Sequence, residues 1–447
     1  MRYKSLQVSR FLSDYGMLGV LLLLCGLFSV LTLQEQHPTG TDAAKRILKK
    51  LSANATHQDG VLIVARGGSE DIRYMDDLRR RLQERGFTSV QVVAGDPFAI
   101  RSEFSKLTVA GDSVRWITAL QAYSQVIANL KADFPLLAAA QILTPETYRY
   151  PTFLLAENLR NVANQITVIA VIAVGMTLVI ISAGIDLSVG SLIALSAVVT
   201  AWLIGVLGGE SASTGDLVLS SAVGVLLCGT VGAFSGWMIT SFRIPPFIAT
   251  LAMMQVAAGF AYIISRGKPI YRIPESFIVL GRGSEPILGI PYAVLLMILL
   301  YIAAHFFMSR TTLGRYIYAV GGNEEAARLA GIRVKAVLLF VYVISGTLAG
   351  LGGIVMASQL KSGAPTYGLT YELYVIAAVV VGGASLSGGE GRIFGTLIGA
   401  LIIGVIQNGM NLTEVESYTQ KVVLGMVILG AVLLDRIKQR RIKLSAV

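Results

Sequence analysis

The sequence predicts an all-α polytopic membrane protein with about ten transmembrane helices and a small soluble α/β domain inserted after the first of them. Three observations lead to this prediction. Hydrophobic residues make up 54% of the 447 residues and charged residues only 14%, whereas soluble proteins carry about 25% charged residues. Charges are absent from long intervals of the chain. One segment of about 115 residues interrupts this pattern with strand-like and helix-like runs.

The composition excludes an ordinary soluble enzyme, a disordered chain and a disulfide scaffold. Cys25 and Cys228 lie in apolar runs and the three histidines are scattered, so we expect neither a disulfide framework nor a metal site. We expect no catalytic residue and no cofactor either. A net charge of +10 would suggest a nucleic-acid partner in a soluble domain. Basic residues in short loops are instead typical of the cytoplasmic side of a membrane protein, so no nucleic acid is expected.

The charge-free intervals are the predicted spans, because about 20 apolar residues cross the hydrocarbon core of a bilayer. The intervals are 15–34, 161–185, 187–209, 217–242, 244–265, 286–309, 336–360, 373–389, 393–413 and 422–434. The first could instead be a signal peptide, but residues 33–37 offer no small-residue cleavage site, which favours an uncleaved anchor. The eighth and tenth intervals are short, and the eighth ends in glycines.

These spans divide the chain into four parts and predict its orientation. The parts are an N-terminal tail with the first helix at 1–34, an inserted domain at 35–150, a transmembrane core at 151–435 and a basic tail at 436–447. Both termini and the loop 309–335 are rich in basic residues and fall on one side of the membrane, which the positive-inside pattern makes cytoplasmic. The segment 265–286 is basic although it is predicted to lie outside.

The inserted domain alternates strand and helix signals and, by topology, lies outside the cytoplasm. Apolar runs predict strands at 61–65 and 90–94, with a helix at 69–85 between them that Gly86 terminates. The stretch 113–133 is predicted to be one long amphipathic helix. Gly67-Gly68 lacks the spacing of a phosphate-binding loop, so we interpret it as a tight strand-to-helix turn.

Two glycine-rich motifs interrupt the apolar helices. In the first, residues 182–191, Gly184 and Gly190 flank Asp186 and Ser188. These two polar residues either cap the next helix or line a pathway, since a carboxylate at membrane depth needs protein or water around it. The second motif, residues 382–391, contains Gly383 and Ser385. It aligns with the first when Gly184 is paired with Gly383, which suggests an internal repeat of the kind found in transporters.

The third motif, residues 319–332, lies in the basic cytoplasmic loop. Asn323 is placed to cap a short helix, Glu324 and Glu325 favour its first turn, and Gly331 ends it. This helix either docks into a partner or is a solvated connector. Within the predicted spans, Asn164, Gln165, Gln255 and Asn408 either line a pathway or bond helix to helix.

These motifs together resemble the permease subunits of ribose-type monosaccharide ABC importers. The resemblance rests on E-A-A-x-x-x-G-I at 325–332, G-I-D-L-S-V-G-S at 184–191 and I-P-P-F-I-A-T-L at 244–251. It implies an inner-membrane permease that is not an enzyme and works beside a second copy of itself or a paralogue in the bilayer. It also implies a cytoplasmic ATPase subunit and an extracytoplasmic sugar-binding protein as partners. The resemblance further implies a coupling helix formed by Asn323, Glu324, Glu325, Ala326, Ala327, Arg328 and Gly331.

The inserted domain departs from the resemblance, since family members usually have a short connection there. Two other functions stay open from the residues alone. A membrane-anchored ligand sensor lacks any cytoplasmic stretch long enough for an enzymatic output domain. An ion-coupled secondary transporter commonly needs buried ionisable residues, and the spans hold almost none beyond Asp186 and His305. The identity of the sugar is not encoded in any motif.

Overall fold

The computed structural model describes residues 2–110 and 114–445, which form two compact units. A helical unit comprises the residues up to Thr32 and from Phe153 onward, and an inserted unit comprises Leu33–Thr152. The predicted limits for the insert, 35–150, are therefore two residues short at each end. Parts of the predicted inserted domain (residues 111–113) and of the predicted basic tail (446–447), as well as Met1, lie outside the described residues.

The first helix, α1 (Arg2–Leu31), contains the apolar stretch Gly16–Leu31. Its C-terminal end packs against later helices of the same unit through Phe28, which is 7% exposed. The Thr32 hydroxyl accepts a hydrogen bond of 3.1 Å from the backbone N–H of Phe153. This bond joins the two points at which the chain leaves and returns to the helical unit.

The inserted unit is a parallel four-stranded sheet with strand order β3-β2-β4-β5. Its elements are β1 (Leu33–Gln36), α2 (Gly40–Asn54), β2 (Val61–Ala65), α3 (Ser69–Glu84), β3 (Val90–Ala94), α4 (Pro97–Ala110), β4 (Trp116–Ala119), α5 (Gln121–Lys131), α6 (Pro135–Ala138), β5 (Gln141–Leu143) and β6 (Tyr148–Pro151). Strands β1 and β6 pair antiparallel as a separate two-stranded ribbon. The strands predicted at 61–65 and 90–94 have those limits in the structure.

Both faces of this sheet are covered by helices. Val61 and Ile63 pack with α2 and α3, whereas Leu62 and Val64 face the opposite way and pack with α4 and α5. Successive strand residues point to opposite faces, so β2 is buried along its whole length. A strand buried on both faces appears in the sequence as a continuous apolar run.

The prediction of one long helix at 113–133 is wrong. Residues Trp116–Ala119 form strand β4, fully buried and paired with both β2 and β5, and helix α5 begins only at Gln121. The short apolar run alone does not distinguish strand from helix. The contact with β2 decides it, because β4 completes the hydrogen bonding of an edge that would otherwise be open.

The rest of the helical unit consists of twelve helices within the described residues. They are α7 (Ala156–Ile181), α8 (Val189–Leu207), α9 (Thr214–Phe242), α10 (Pro246–Ser265), α11 (Val279–Arg282), α12 (Tyr292–Arg310), α13 (Thr312–Gly322), α14 (Glu324–Leu329), α15 (Val334–Leu360), α16 (Tyr371–Val381), α17 (Ile393–Leu412) and α18 (Ser417–Ser445). Short 3₁₀ turns lie at Thr152–Leu154, Gly209–Ser211 and Glu275–Ile278.

Among the described residues, seven helices are long and apolar enough to cross a membrane. These are α7, α8, α9, α10, α12, α15 and α17. The eighth predicted span, 373–389, is shorter than expected, since α16 ends at Val381. Gly383 there has φ +89°, and such a left-handed residue terminates a helix. The tenth predicted span lies within α18.

Helix α15 lies at the centre of the unit, packed against α7, α8 and α9. Glycines let α9 and α15 approach closely. A Cβ atom on Gly350 would lie 2.9 Å from the Cβ of Cys228, and one on Gly232 would overlap the carbonyl oxygen of Tyr342. Small residues at such crossings are typical of membrane helix packing. The crossing fixes α15 where it contacts the first glycine motif.

Candidate functional site

The first glycine motif begins where α7 ends. Ala183 has φ +64°, and the Gly184 N–H donates to the carbonyl of Val179 at 2.9 Å, six residues closing one turn. This is a helix-terminating arrangement that normally uses glycine at the left-handed position. An alanine there costs about 1–2 kcal/mol, so its surroundings must hold it in place.

The second glycine motif ends α16 in the same way. Gly383 takes the left-handed position, and the Ala384 N–H donates to the carbonyl of Val379 at 3.1 Å. By these hydrogen bonds, Ala183 and Gly383 occupy equivalent positions at the ends of α7 and α16. The sequence alignment that paired Gly184 with Gly383 is off by one residue, because it matched glycines rather than backbone conformations.

Asp186 is buried, with 1% of its surface exposed, and holds the loop between α7 and α8. Its Oδ1 accepts hydrogen bonds from the backbone N–H of Ser188 at 3.0 Å and from the Ser188 hydroxyl at 2.6 Å. Its Oδ2 accepts one from the Ser345 hydroxyl on α15 at 2.7 Å. The carboxyl group thus ties this loop to the central helix. Ser188 occupies the N-cap position of α8, but its side chain makes no capping bond, so that part of the cap prediction is wrong.

The second glycine motif folds back onto the end of α7. The Gly389 N–H donates to the carbonyl of Ile181 at 2.8 Å. A Cβ on Gly388 would lie 2.6 Å from both the Cβ of Ala183 and the carbonyl oxygen of Gly321. Ser385 is buried within the loop, and its N–H donates to the Glu390 carbonyl at 3.0 Å.

The third motif reaches the same place through the end of α13. A Cβ on Gly321 would overlap the carbonyl oxygen of Ile181 and lie 2.8 Å from the Gly389 nitrogen. The Tyr318 hydroxyl donates to the carbonyl of Gly391 at 2.8 Å. A phenol is already protonated at neutral pH, and burial raises the pKa of Tyr318 further. All three motifs therefore meet at one point, the glycine junction, formed by Ile181, Ala183, Gly321, Gly388 and Gly389.

Helix α14 follows the junction directly and is exposed. The Asn323 side chain accepts the Ala326 N–H at 2.9 Å, which is the predicted cap. Gly331, with φ +82°, ends the helix, and the Ile332 N–H donates to the Ala327 carbonyl at 3.1 Å.

Most of the α14 surface faces away from the unit. Glu325 and Arg328 form an ion pair on it, and Ala327, 4% exposed, is the residue that packs inward. Leu329 is 86% exposed. Sequence reasoning missed this leucine; a large apolar residue among charges on a short capped helix is the signal that could have found it.

The polar residues predicted within the spans differ in their surroundings: some hydrogen-bond to other elements and one is exposed. Asn164 donates to the carbonyl of Gly281 at 3.0 Å, and Asn408 exchanges two amide hydrogen bonds with Asn158 at 2.9 and 3.0 Å. Both residues bond one element to another. Gln255 is exposed on α10. Gly190 lies where α8 begins, against Gly368 and the Glu372 carboxylate.

A small polar cavity of about 150 Å³ lies between α7, α16, α17 and α18. It is lined by amides, tyrosines and one isoleucine: Gln165, Ile169, Tyr371, Tyr374, Gln407, Asn411 and Gln420. Of these residues, only Gln165 was predicted from the sequence as a pathway candidate. The spacing of Gln407 and Asn411, four residues apart on α17, places them on one face of the helix and could have indicated it. No group of three or more His, Cys, Asp or Glu residues in the described part of the chain is placed to hold a metal ion.

Within the described residues, seven helices are long and apolar enough to cross a membrane, which is the pattern of a multi-pass membrane protein. The chain belongs to the branched-chain amino acid transport system / permease component family, whose family model matches residues 158–432. Residues 33–152 lie outside that match.

Curated relatives agree with the family. The chain is 45% identical to the ribose import permease protein of Escherichia coli strain K12 over 291 residues, 65% of this chain and 88% of the relative. It is 45% identical to the ribose import permease protein of Bacillus subtilis strain 168 over 290 residues, 64% and 87% of the two chains. It is 39% identical to the L-arabinose transport system permease protein of Escherichia coli strain K12 over 290 residues, 65% and 86%. No solved structure matches the chain.

Proposed function

We propose that this chain is the transmembrane permease subunit of an ATP-driven importer that moves a monosaccharide across the inner membrane. Its family membership carries the proposal, together with relatives named for ribose and arabinose transport. The chain is a multi-pass membrane permease and not an enzyme, so ATP hydrolysis belongs to a separate cytoplasmic ABC ATPase. An extracytoplasmic sugar-binding protein supplies the sugar. The ion-coupled and sensor hypotheses are not supported by the family.

The glycine junction supports a mechanism for coupling. Helix α14 presents Glu324, Glu325 and Leu329 to a partner, and its anchor Ala327 keeps it on the unit. We infer that Leu329 enters an apolar groove of the ATPase. A displacement of α14 then reaches Gly321, whose contacts with Ile181 and Gly389 leave no space to absorb it. Movement is passed to the broken ends of α7 and α16 because packed interiors transmit strain.

The polar cavity supports a pathway for a neutral sugar. Its amides and tyrosines offer hydrogen-bond donors and acceptors without a formal charge. Such a lining matches hydroxyl groups and offers an ion no counter-charge. We infer that Gln165, Gln407 and Asn411 contact the sugar in the membrane, while Asn164 and Asn408 hold neighbouring elements together.

For the topology we propose ten spans, with both termini cytoplasmic and residues 33–152 outside as a folded α/β domain. This number is the sum of the seven long helices, two shorter apolar stretches and α18. The two shorter stretches are Gly16–Leu31 and Tyr371–Val381. The basic segments of both termini and of 309–335 then face the cytoplasm. A second permease copy, identical or paralogous, completes the transporter.

Charge reversal on α14 tests the proposal. We expect the Glu324→Lys, Glu325→Lys double variant to lose co-purification with the ATPase at physiological salt, because two positive charges then face the partner at the first turn. The Glu414→Lys, Glu416→Lys double variant is a matched control, since both glutamates are exposed in a loop that the topology places on the opposite side. Unchanged co-purification of the α14 variant would remove this helix from the interface. ATP hydrolysis by the permease alone would contradict the function itself.

A further inference from the structure

An open cleft of about 450 Å³ lies within the inserted unit, which the family relationship does not explain. Its lining is polar at seven of eight positions: Glu35, His37, Lys50, Gln121, Thr144, Pro145, Glu146 and Thr147. The volume falls in the range of small-molecule sites, about 300–1,000 Å³.

The cleft is built at the carboxyl edge of the parallel sheet. Thr144 directly follows β5, and Gln121 lies two residues after the end of β4. Open α/β sheets bind their ligands outside the carboxyl ends of the strands, at the point where the strand order reverses. In the order β3-β2-β4-β5 that point lies between β2 and β4, and the cleft lies beside it, at the carboxyl ends of β4 and β5.

Hydrogen bonds hold the walls of the cleft in place. The Lys50 ammonium on α2 donates to the Thr144 carbonyl at 3.2 Å and lies 3.8 Å from the Glu146 carboxylate. The Thr147 hydroxyl donates to the Glu35 carboxylate across the β1–β6 ribbon. One wall therefore comes from the ribbon and the other from the body of the sheet.

The lining chemistry selects the class of ligand. Two carboxylates, an amide, two threonines, one imidazole and one ammonium offer acceptors and donors side by side. Counted with histidine neutral, as in the formal charge at pH 7, the lining has two negative charges and one positive charge, which disfavours an anion such as a phosphorylated sugar. The described residues contain no group of three His, Cys, Asp or Glu placed to hold a metal, and Lys50 opposes a cation. A neutral molecule rich in hydroxyl groups fits these constraints.

We propose that this cleft is a binding site for a neutral sugar, separate from the pathway through the membrane. Lys50 and Gln121 donate to the hydroxyl groups of the sugar, and Glu35 and Glu146 accept from them. The choice of a sugar rather than another neutral polyol rests on the proposed function. A bound sugar contacts both the ribbon and the sheet body, so it stabilises their arrangement.

Equilibrium binding of radiolabelled D-ribose and L-arabinose to the full-length permease tests this proposal. The permease is held in lipid nanodiscs without ATPase or binding protein. We expect saturable binding of one of these sugars, unaffected by excess ribose 5-phosphate. Lys50→Met and Gln121→Leu should each weaken it at least about tenfold, the effect of losing one hydrogen bond to a charged or well-placed group. Gln121 is exposed and Lys50 is half-buried, and a thermal unfolding scan of both variants checks that they fold.

A control variant locates the bound sugar. Lys49→Met removes the neighbouring exposed lysine outside the cleft and should leave binding unchanged. Absence of saturable binding, or saturable binding that neither Lys50→Met nor Gln121→Leu weakens, would overturn the proposal. Uptake by the assembled transporter is measured in parallel. Uptake without binding at the cleft rejects the cleft as a sugar site and leaves the importer function standing. Binding at the cleft without uptake supports the cleft site and rejects the importer function.

Discussion

Replacing Gly321 by alanine tests whether the glycine junction transmits movement. The added Cβ would overlap the carbonyl oxygen of Ile181 and lie 2.8 Å from the Gly389 nitrogen. Real Cβ atoms do not approach backbone so closely, so α13 must shift away from the ends of α7 and α16. Overpacking of this kind costs about 1–3 kcal/mol, and a coupling energy of that size corresponds to a change of about 5- to 150-fold.

The assay is ATP-dependent sugar uptake into proteoliposomes that contain the complete transporter. We expect Gly321→Ala to keep its ATPase subunit, because α14 itself is unchanged, and to lose uptake by a factor in that range. The adjacent Gly322→Ala is the matched control, since nothing lies within 4 Å of its added Cβ. Alanine is also the better helix former there by about 0.5–1 kcal/mol.

Equal uptake by the Gly321 and Gly322 variants would refute the reasoning, since the contact at Gly321 would then carry no coupling. Loss of the ATPase from the Gly321 variant would also refute it, because the defect would lie in docking. A thermal unfolding scan of both variants separates a local shift from general loss of the fold.

Three further predictions concern other contacts. Asp186→Ala should lower the thermal unfolding temperature more than Ser345→Ala, because it leaves three donors unbonded instead of removing one; an equal effect would contradict this. Asn408→Leu should cost about 1–3 kcal/mol. Adding Asn158→Leu should cost about 0.5–1.5 kcal/mol more, because Asn158 has by then lost both bonds to Asn408 and keeps only its hydrogen bond to the Phe153 carbonyl; a double-mutant cycle of unfolding free energies measures the coupling. Asp77 is buried, which raises its pKa, but hydrogen bonds from Arg81 and Arg80 outweigh burial and lower it. Its folded pKa lies below the unfolded value, so its stabilisation is present above about pH 4 and lost on further acidification; Asp77→Asn should flatten the acid dependence of unfolding of the inserted unit.

Local patterns were sufficient for much of this protein. Charge-free intervals located the long apolar helices because the bilayer excludes charge over a fixed length. The cap at Asn323 and the stop at Gly331 were predicted correctly, since a capping side chain and a left-handed glycine act within one turn. The strands at 61–65 and 90–94 were located by their apolar runs.

Contacts between distant segments were decided only by the tertiary structure. The sequence found three motifs at 182–191, 319–332 and 382–391, but nothing local indicated that they meet at one junction. A glycine permits close approach of another backbone without specifying which one. For the same reason Asp186 could not be assigned its partner, which lies 159 residues away on α15.

The strand at Trp116–Ala119 and the polar cleft also depend on contacts between distant segments. A short apolar run is compatible with helix or strand, and pairing with β2 selects the strand. The cleft brings together side chains from 35 to 147, each of which alone is an ordinary surface residue. The sequence by itself determined the class of protein and the ends of many elements. The assembly of its sites depended on long-range packing, because the free energy of those contacts is shared between segments that no local window contains.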